Sequence, residues 1–480
     1  MGESPKNNFF WSILIQFSFQ IVGFFVTIIL TRILDPKDFG IIGILTIFIT
    51  ICQSILDGGL TASLIRTKDI TEEDYSTVFY INLISSLSLY LIIFISAPYI
   101  ADYFDTPQVT RLLRVHALIL IISAFTITQS VRLNKALQFK TQFKLLLPSL
   151  VVSGATSIAM AYNGFGVWSL VWKEVIFSSL TSVQLWFYSQ WVPIRVFSKE
   201  KFKYHFYFGY KLLITDILSK GFQQSYKVVL GKIFSVYQLG LFTRSQTMAE
   251  LPNNIIFSAI NRVMFPLLSK VSTEDEKLKD AYSNIIRTVV FIVVPLLCVL
   301  GLVAEPLFTV LITEKWLPAV PYFRILLLVG AISPLQLYLL NLCKVKGRSD
   351  LVLKLSIVEY VFISLGLVSI YWFGLYGLLY GMVFSSVAKV AVTMYVAGNL
   401  VNYTVKEQLR DIYQPFLLGG ISVGLTIFIL NLGINIRHNI LLIVFVAVIF
   451  YMFFLIMSYF LKNPVLYKAI TLIKNKLNAK

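Results

Sequence analysis

Charged residues are scarce in this chain: Asp, Glu, Lys and Arg fill 14% of its 480 positions, against roughly 25% in a soluble domain. The shortage excludes a water-soluble class. In its place stand 57% hydrophobic residues, 39 phenylalanines and a mean hydropathy of +0.78, a membrane composition. Cysteine is rarer still. Cys52, Cys298 and Cys343 stand alone in apolar segments, without the paired spacing of a disulfide framework or a metal site.

A helix needs about 20 mostly apolar residues to cross the hydrocarbon core of a bilayer. Fourteen such stretches are predicted, at 9–31, 39–64, 76–98, 112–131, 145–162, 165–188, 206–231, 239–267, 282–303, 321–343, 351–372, 374–399, 412–431 and 439–461. Only short polar gaps separate them, so no soluble domain is expected. The first is too long for a signal-peptide core and lacks a small-residue cleavage site, which predicts that it stays in place as an anchor.

The net charge of +17 raises the question of a nucleic-acid partner, and the positions of the basic residues answer it. Counted alternately across the spans, termini and loops on the N-terminal side carry 25 Lys and Arg, including Arg66, Lys135, Lys201, Lys279, Lys346 and Lys474, whereas the opposite side carries seven. Lys and Arg are retained in the cytoplasm. The asymmetry therefore predicts both termini in the cytoplasm and an even number of spans. The basic excess is topological and meets lipid headgroups; it calls for no nucleic acid.

The chain also repeats itself. Thr31-Arg32-Ile33-Leu34 through Phe39-Gly40 lines up with Gly231-Lys232-Ile233-Phe234 through Leu239-Gly240 at an offset of 200. Arg114, Ser123, Lys144 and Gly164 line up with Arg324, Ser333, Lys354 and Gly374 at an offset of 210. Six spans separate the copies, so the repeat is parallel. The expected organisation is an all-α membrane protein with a six-helix bundle over 1–203, a second over 204–402, and two further helices with a basic tail over 403–480.

These segments resemble the polysaccharide transporter family, the Wzx-type and teichuronic-acid exporters, of the multidrug/oligosaccharidyl-lipid/polysaccharide (MOP) exporter superfamily. The resemblance is carried by Thr31 to Gly40, by Asp57-Gly58-Gly59-Leu60 leading to Leu64-Ile65, by Leu239-Gly240-Leu241-Phe242-Thr243-Arg244-Ser245-Gln246, and by Leu251-Pro252 through Ile260-Asn261-Arg262 to Ser269. It implies two bundles around a central cavity that opens alternately to each side of the bacterial cytoplasmic membrane. The implied cargo is an undecaprenyl-diphosphate-linked oligosaccharide, as in lipopolysaccharide O-antigen assembly, with polysaccharide assembly proteins as candidate partners. No cofactor is implied beyond a coupling ion, Na+ or H+.

Setting aside the 32 Lys and Arg counted with the termini, loops and span ends, nine basic residues remain within the predicted spans: Lys173, Lys211, Lys220, Lys227, Arg244, Arg262, Arg287, Arg324 and Lys389. Each costs about 2.5–3.5 kcal/mol at a helix centre, so a deep one needs a partner or a water-filled cavity. A diphosphate needs several cationic donors. Arg244, Lys220, Lys227, Arg287 and Arg324 are the candidate cavity cations, led by Arg244 because its repeat mate Ile44 is apolar. Arg244 could instead bond helix carbonyls or snorkel, and Asp216 and Lys220 could form an i,i+4 pair. Snorkelling is the expected account of Lys211. Asp216 and Glu359 are candidates for coupling-ion binding, with an ion pair between Glu359 and Lys389 as the alternative. Trp168, Trp186, Trp191, Trp316 and Trp372 sit near span ends, where interfacial anchoring is expected.

Two other functions remain open at this point. A membrane-embedded polysaccharide polymerase or ligase would need an acid/base platform, and the longest outer connection, 304–320, offers Glu305 and Glu314 without a histidine or nucleophile cluster. A drug or cation exporter would favour acidic groups over the basic excess of the seventh span. The expectation is thus a transporter, not an enzyme.

Overall fold

The computed structural model describes residues 5–270, 274–432 and 436–478, and every regular element among them is helical. The chain opens with α1 (Pro5–Ile33), α2 (Pro36–Asp57), α3 (Leu60–Arg66), α4 (Glu72–Tyr103), α5 (Val109–His116) and α6 (Leu118–Lys135). It continues with α7 (Phe139–Tyr162), α8 (Val167–Ser189), α9 (Lys199–Ile233), α10 (Val236–Lys270), α11 (Asp275–Leu302) and α12 (Ala304–Ile312). A 3-10 turn, Glu314–Ala319, leads into α13 (Val320–Val345), α14 (Ser349–Val368) and α15 (Ile370–Gly398). The last three are α16 (Val405–Asn431), α17 (Asn439–Phe460) and α18 (Pro464–Asn478).

Among the described residues, 11 segments are long and apolar enough to cross a membrane. The predicted spans at 165–188, 206–231 and 239–267 form helices of 23, 35 and 35 residues, α8, α9 and α10, and fall outside that apolar class. For α9 the reason is its lysines, Lys211, Lys220 and Lys227 among them. The second predicted span is broken. Gly58 and Gly59 both adopt positive φ, 50° and 69°, and divide it into α2 and α3.

Helix starts follow local chemistry. Pro36 occupies the first turn of α2, where the missing N–H costs nothing, and Asp35 and Asp38 form a capping box around it. Thr71 caps α4 by accepting from the Asp74 N–H at 3.4 Å, while Asp74 Oδ2 accepts from the Thr71 N–H at 2.8 Å. Thr404 and Glu407 do the same for α16.

By packing, the chain forms two compact units, Met1–Gly240 and Leu241–Lys480. In the first, α1 lies on α7, α6 packs between α4 and α8, and α9 lies along α2, α3 and α4. The expected divide after residue 203 thus falls one helix earlier than the divide by packing. An aromatic core of Tyr75, Phe79 and Trp191, with Phe125 and Trp186 against it, ties α4, α6 and α8 together. In the second unit α15 packs on α13 and α14, and α11 on α13 and α16. There Val299, Leu418, Val446, Phe450 and Phe454 form a core that docks α17.

Two tryptophan assignments change. Trp316 is fully buried, and Trp191 is buried with its indole N–H donating to Glu72. These rings hold the packing together; Trp372, 67% exposed, remains free to anchor at an interface.

The repeat is visible in backbone detail. The Leu34 N–H donates to Leu30 O at 2.8 Å and the Phe234 N–H to Leu230 O at 3.1 Å, at the offset of 200. Arg114 Nε and Arg324 Nε, 210 positions apart, each donate at 3.1 Å to a carbonyl of a preceding helix, Phe94 O and Gly301 O, which are 207 positions apart. One pairing is corrected. The mate of Gly374 (φ 58°, ψ −141°) is Gly166 (φ 53°, ψ −131°), each following a phenylalanine, rather than Gly164.

Candidate functional site

In the first unit the break between α2 and α3 is where polar chemistry gathers. A Cβ on Gly59 would lie 2.6 Å from Gly209 O, and one on Gly209 would lie 2.5 Å from Gly58 O, so α9 meets the break backbone to backbone. One turn on, the Ser63 hydroxyl is 2.8 Å from His205 Nδ1, and His205 Nε2 is 3.1 Å from Asp74 Oδ1. Lys201 Nζ donates to Asp74 Oδ2 at 3.2 Å. Lys135 Nζ donates to Leu64 O at 3.3 Å and to Thr67 O. The network joins α3, α4, α6 and α9.

His205, Asp74 and Ser63 are each at most 2% exposed. A neutral imidazole satisfies both contacts, with Nε2–H donating to Asp74 and Nδ1 accepting from Ser63. Burial pushes the His205 pKa below its ordinary value and outweighs Asp74, which pulls upward; Lys201 and Lys135 push down as well. The order Ser–His–Asp matches that of a hydrolytic triad. Here, however, the Ser63 hydroxyl is buried and its amide donates to Gly59 O at 3.0 Å, so that amide is not available as an oxyanion donor. The network is a latch.

The predicted site residues fall in different places. Lys220 and Lys227 are half-buried on α9, and their spacing of seven residues puts them on one face. Asp216 is exposed, and among the described residues it forms no ion pair with Lys220. Arg244, two turns into α10, is buried at 3% exposure beside Ser245, whose hydroxyl donates to Ala319 O at 2.9 Å. The side chain of Arg262 lies outside the described residues.

Arg287 and Arg324 are each held by a carboxylate. Arg287 Nη2 donates to Asp411 Oδ1 at 2.5 Å, and the hydroxyls of Ser283 and Tyr403 donate to the other oxygen. This cluster lines a polar pocket of about 580 Å³ together with Lys279, Arg410 and Lys462. Arg324 donates to Gly301 O and to Glu305 Oε1, both at 3.1 Å, at the other end of α11. The two arginines do not converge on one chamber. Lys389 Nζ lies 2.7 Å from Glu359 Oε1, so the ion pair is the geometry adopted by that candidate for coupling.

Sequence reading missed His205, Asp74 and Ser63. The capping pattern Thr71-x-x-Asp74 was a local signal for the acid, but its histidine lies 131 positions away, and no local pattern connects them.

The whole-chain comparisons agree with one another. A family model described as polysaccharide biosynthesis protein matches residues 29–321. The teichuronic acid biosynthesis protein TuaB of Bacillus subtilis (strain 168) is 24% identical over 431 residues, covering 85% of this chain and 86% of its own. The succinoglycan biosynthesis transport protein ExoT of Rhizobium meliloti (strain 1021) is also 24% identical, over 70% of this chain and 69% of its own. Among solved structures, the lipid II flippase MurJ in an inward closed conformation superposes with a TM-score of 0.72, covering 95% of this chain and all of its own, at 13% identity. An inward-facing multidrug resistance MATE family transporter of the MOP superfamily gives 0.61, over 80% of this chain and 94% of its own, at 17% identity. The fold is shared with these transporters, and with its matched segment running from α1 into α13 the chain belongs to the polysaccharide biosynthesis protein family.

Proposed function

We propose that this protein is a flippase that moves undecaprenyl-diphosphate-linked oligosaccharides from the cytoplasmic to the outer leaflet of a bacterial cytoplasmic membrane by alternating access. The observation that carries the reading is full-length likeness. Relatives named for teichuronic acid biosynthesis and succinoglycan transport align over most of the chain, and the fold of a lipid II flippase covers 95% of it. The basic-loop ends of both units would face the cytoplasm, with both termini there.

In this reading Lys220 and Lys227 of the first unit are proposed as diphosphate contacts, and Arg244 of the second unit is proposed separately as another, while Arg287 and Arg324 serve mainly as partners of Asp411 and Glu305. A coupling ion, Na+ or H+, would load at Asp216 in preference to Glu359, because Lys389 already neutralises the latter. The protein is read as a transporter and not an enzyme, and polysaccharide assembly proteins would take its product.

Purified protein in liposomes loaded on one leaflet with a polyprenyl-diphosphate glycan provides the test. Protein-dependent appearance of intact glycan lipid on the far leaflet is expected. Covalent lengthening of the glycan would instead establish a polymerase, and retention on the loaded leaflet would end the flippase reading.

A further inference from the structure

Beside the latch, on the surface of the first unit, α3 and α9 enclose a pocket of about 530 Å³. Its lining holds two cations, Arg66 and Lys211, three rings, Tyr204, Tyr207 and Phe208, and no carboxylate. Such a lining carries two positive charges. Neither cation has a carboxylate partner among the described residues; the Arg66 guanidinium lies 4.6 Å from the centre of the Phe208 ring, and Lys211 Nζ lies 5.9 Å from that of Tyr210. A ring face leaves the N–H edges of the guanidinium available, and those edges match phosphate oxygens in a fork. Snorkelling of Lys211 accounts for its position but not for a lining without acid.

The rings supply the second half of the chemistry. Tyr207 is 73% exposed and Tyr204 59%, so their ring faces are open at the pocket and each carries a polar hydroxyl beside its apolar face. Flat faces beside cations suit a pyranose ring next to its phosphate. The back wall is fixed. Ser63 belongs both to the lining and to the hydrogen bond with buried His205, and the Gly59–Gly209 approach sets the distance between α3 and α9 just beyond it. A site whose walls are held by buried polar bonds loses little order when it binds.

We infer that this pocket is a loading subsite for the phosphate and first sugar of a lipid-linked glycan, with Arg66 and Lys211 holding the phosphate and Tyr207 facing the sugar. The inference rests on the flippase reading, and it adds residues that the charge pattern within the spans did not select. Phosphate chemistry is shared by bilayer phospholipids, so the test must separate the two sources.

The experiment uses the full chain in nanodiscs and a short-chain polyprenyl diphosphate carrying one hexose, with bare polyprenyl diphosphate and phosphatidylglycerol as competitors. Arg66→Gln with Lys211→Gln is expected to weaken the sugar-bearing probe by about tenfold or more, with Arg66→Lys retaining part of the binding. Tyr207→Ala, at an exposed position that leaves folding intact, should weaken the sugar-bearing probe while leaving bare diphosphate unchanged. Equal binding by wild type and both variants overturns the subsite, and so does full competition by phosphatidylglycerol. Transport by the wild type in the same preparation separates the two readings. Transport with unaltered probe binding in the variants sinks the subsite alone, whereas no transport by wild type sinks the flippase reading.

Discussion

Glu359 on α14 and Lys389 on α15 close an ion pair of 2.7 Å, each side chain about one-fifth exposed at 23% and 20%. Removing one partner leaves the other charge poorly solvated, whereas removing both does not. Glu359→Gln should therefore lower stability by about 2 kcal/mol, and Glu359→Gln with Lys389→Gln should recover most of it in a thermal melt. The double variant should also keep ion-driven transport. Its loss of coupling, with stability restored, would return Glu359 to the list of ion ligands.

A pH dependence follows from His205. Burial depresses its pKa below the ordinary 6.5, so the unfolded chain binds more protons than the folded one in the window below that value. Stability linked to this group is complete above 6.5 and is lost as the pH falls towards the folded pKa. The groups facing the ring are Asp74, Ser63, Lys201 and Lys135, and the two lysines add repulsion once the imidazole is charged. Melting of the full chain at pH 7.5 and pH 5.5 should show a drop that His205→Gln flattens. An unchanged drop in that variant would place the acid sensitivity elsewhere.

The contrast between these two sites explains what was legible beforehand. Glu359 and Lys389 lie on consecutive helices, where a long apolar background makes each charge conspicuous. Their pairing was one of two alternatives that the sequence could pose. His205 and Asp74 lie in polar ends among many loop charges, and only the return of α9 onto α3 and α4 singles them out. Helix positions were readable because length and hydropathy set them, although the polar α9 and the glycine break after α2 show where hydropathy alone misjudges a span. Arg287 and Arg324 looked like free cavity charges because Asp411 and Glu305, their partners, sit 124 and 19 positions away.

Gly40 and Gly240 make a reciprocal contact that the offset of 200 anticipates. A Cβ on Gly40 would stand 1.8 Å from Val236 O, and one on Gly240 would stand 1.8 Å from Pro36 O. Each glycine thus faces the first residue of the other's helix. Gly40→Ala and Gly240→Ala should each cost about 1–3 kcal/mol through overpacking against backbone that cannot rotate away. Gly23→Ala is the control, because nothing lies within 4 Å of a Cβ there and helix propensity should stabilise it by about 0.5–1 kcal/mol. Equal melting of all three variants would show that the turns part at no cost.

Arg244 carries the sharpest functional prediction. It is 3% exposed within α10, and burying a guanidinium costs several kcal/mol unless hydrogen-bond acceptors surround it. A side chain kept there for packing alone could be replaced by methionine, which keeps an unbranched apolar stem without the charge. Arg244→Met should insert yet lose surface glycan and leaflet-to-leaflet transport by about tenfold or more, the scale of a lost charge-assisted contact. Arg244→Lys should recover only part of it, since an ammonium cannot grip two phosphate oxygens in a fork. Normal transport by the methionine variant would reduce Arg244 to a packing residue, and a collapse of its melting temperature with transport intact in Arg244→Lys would assign the guanidinium to the fold.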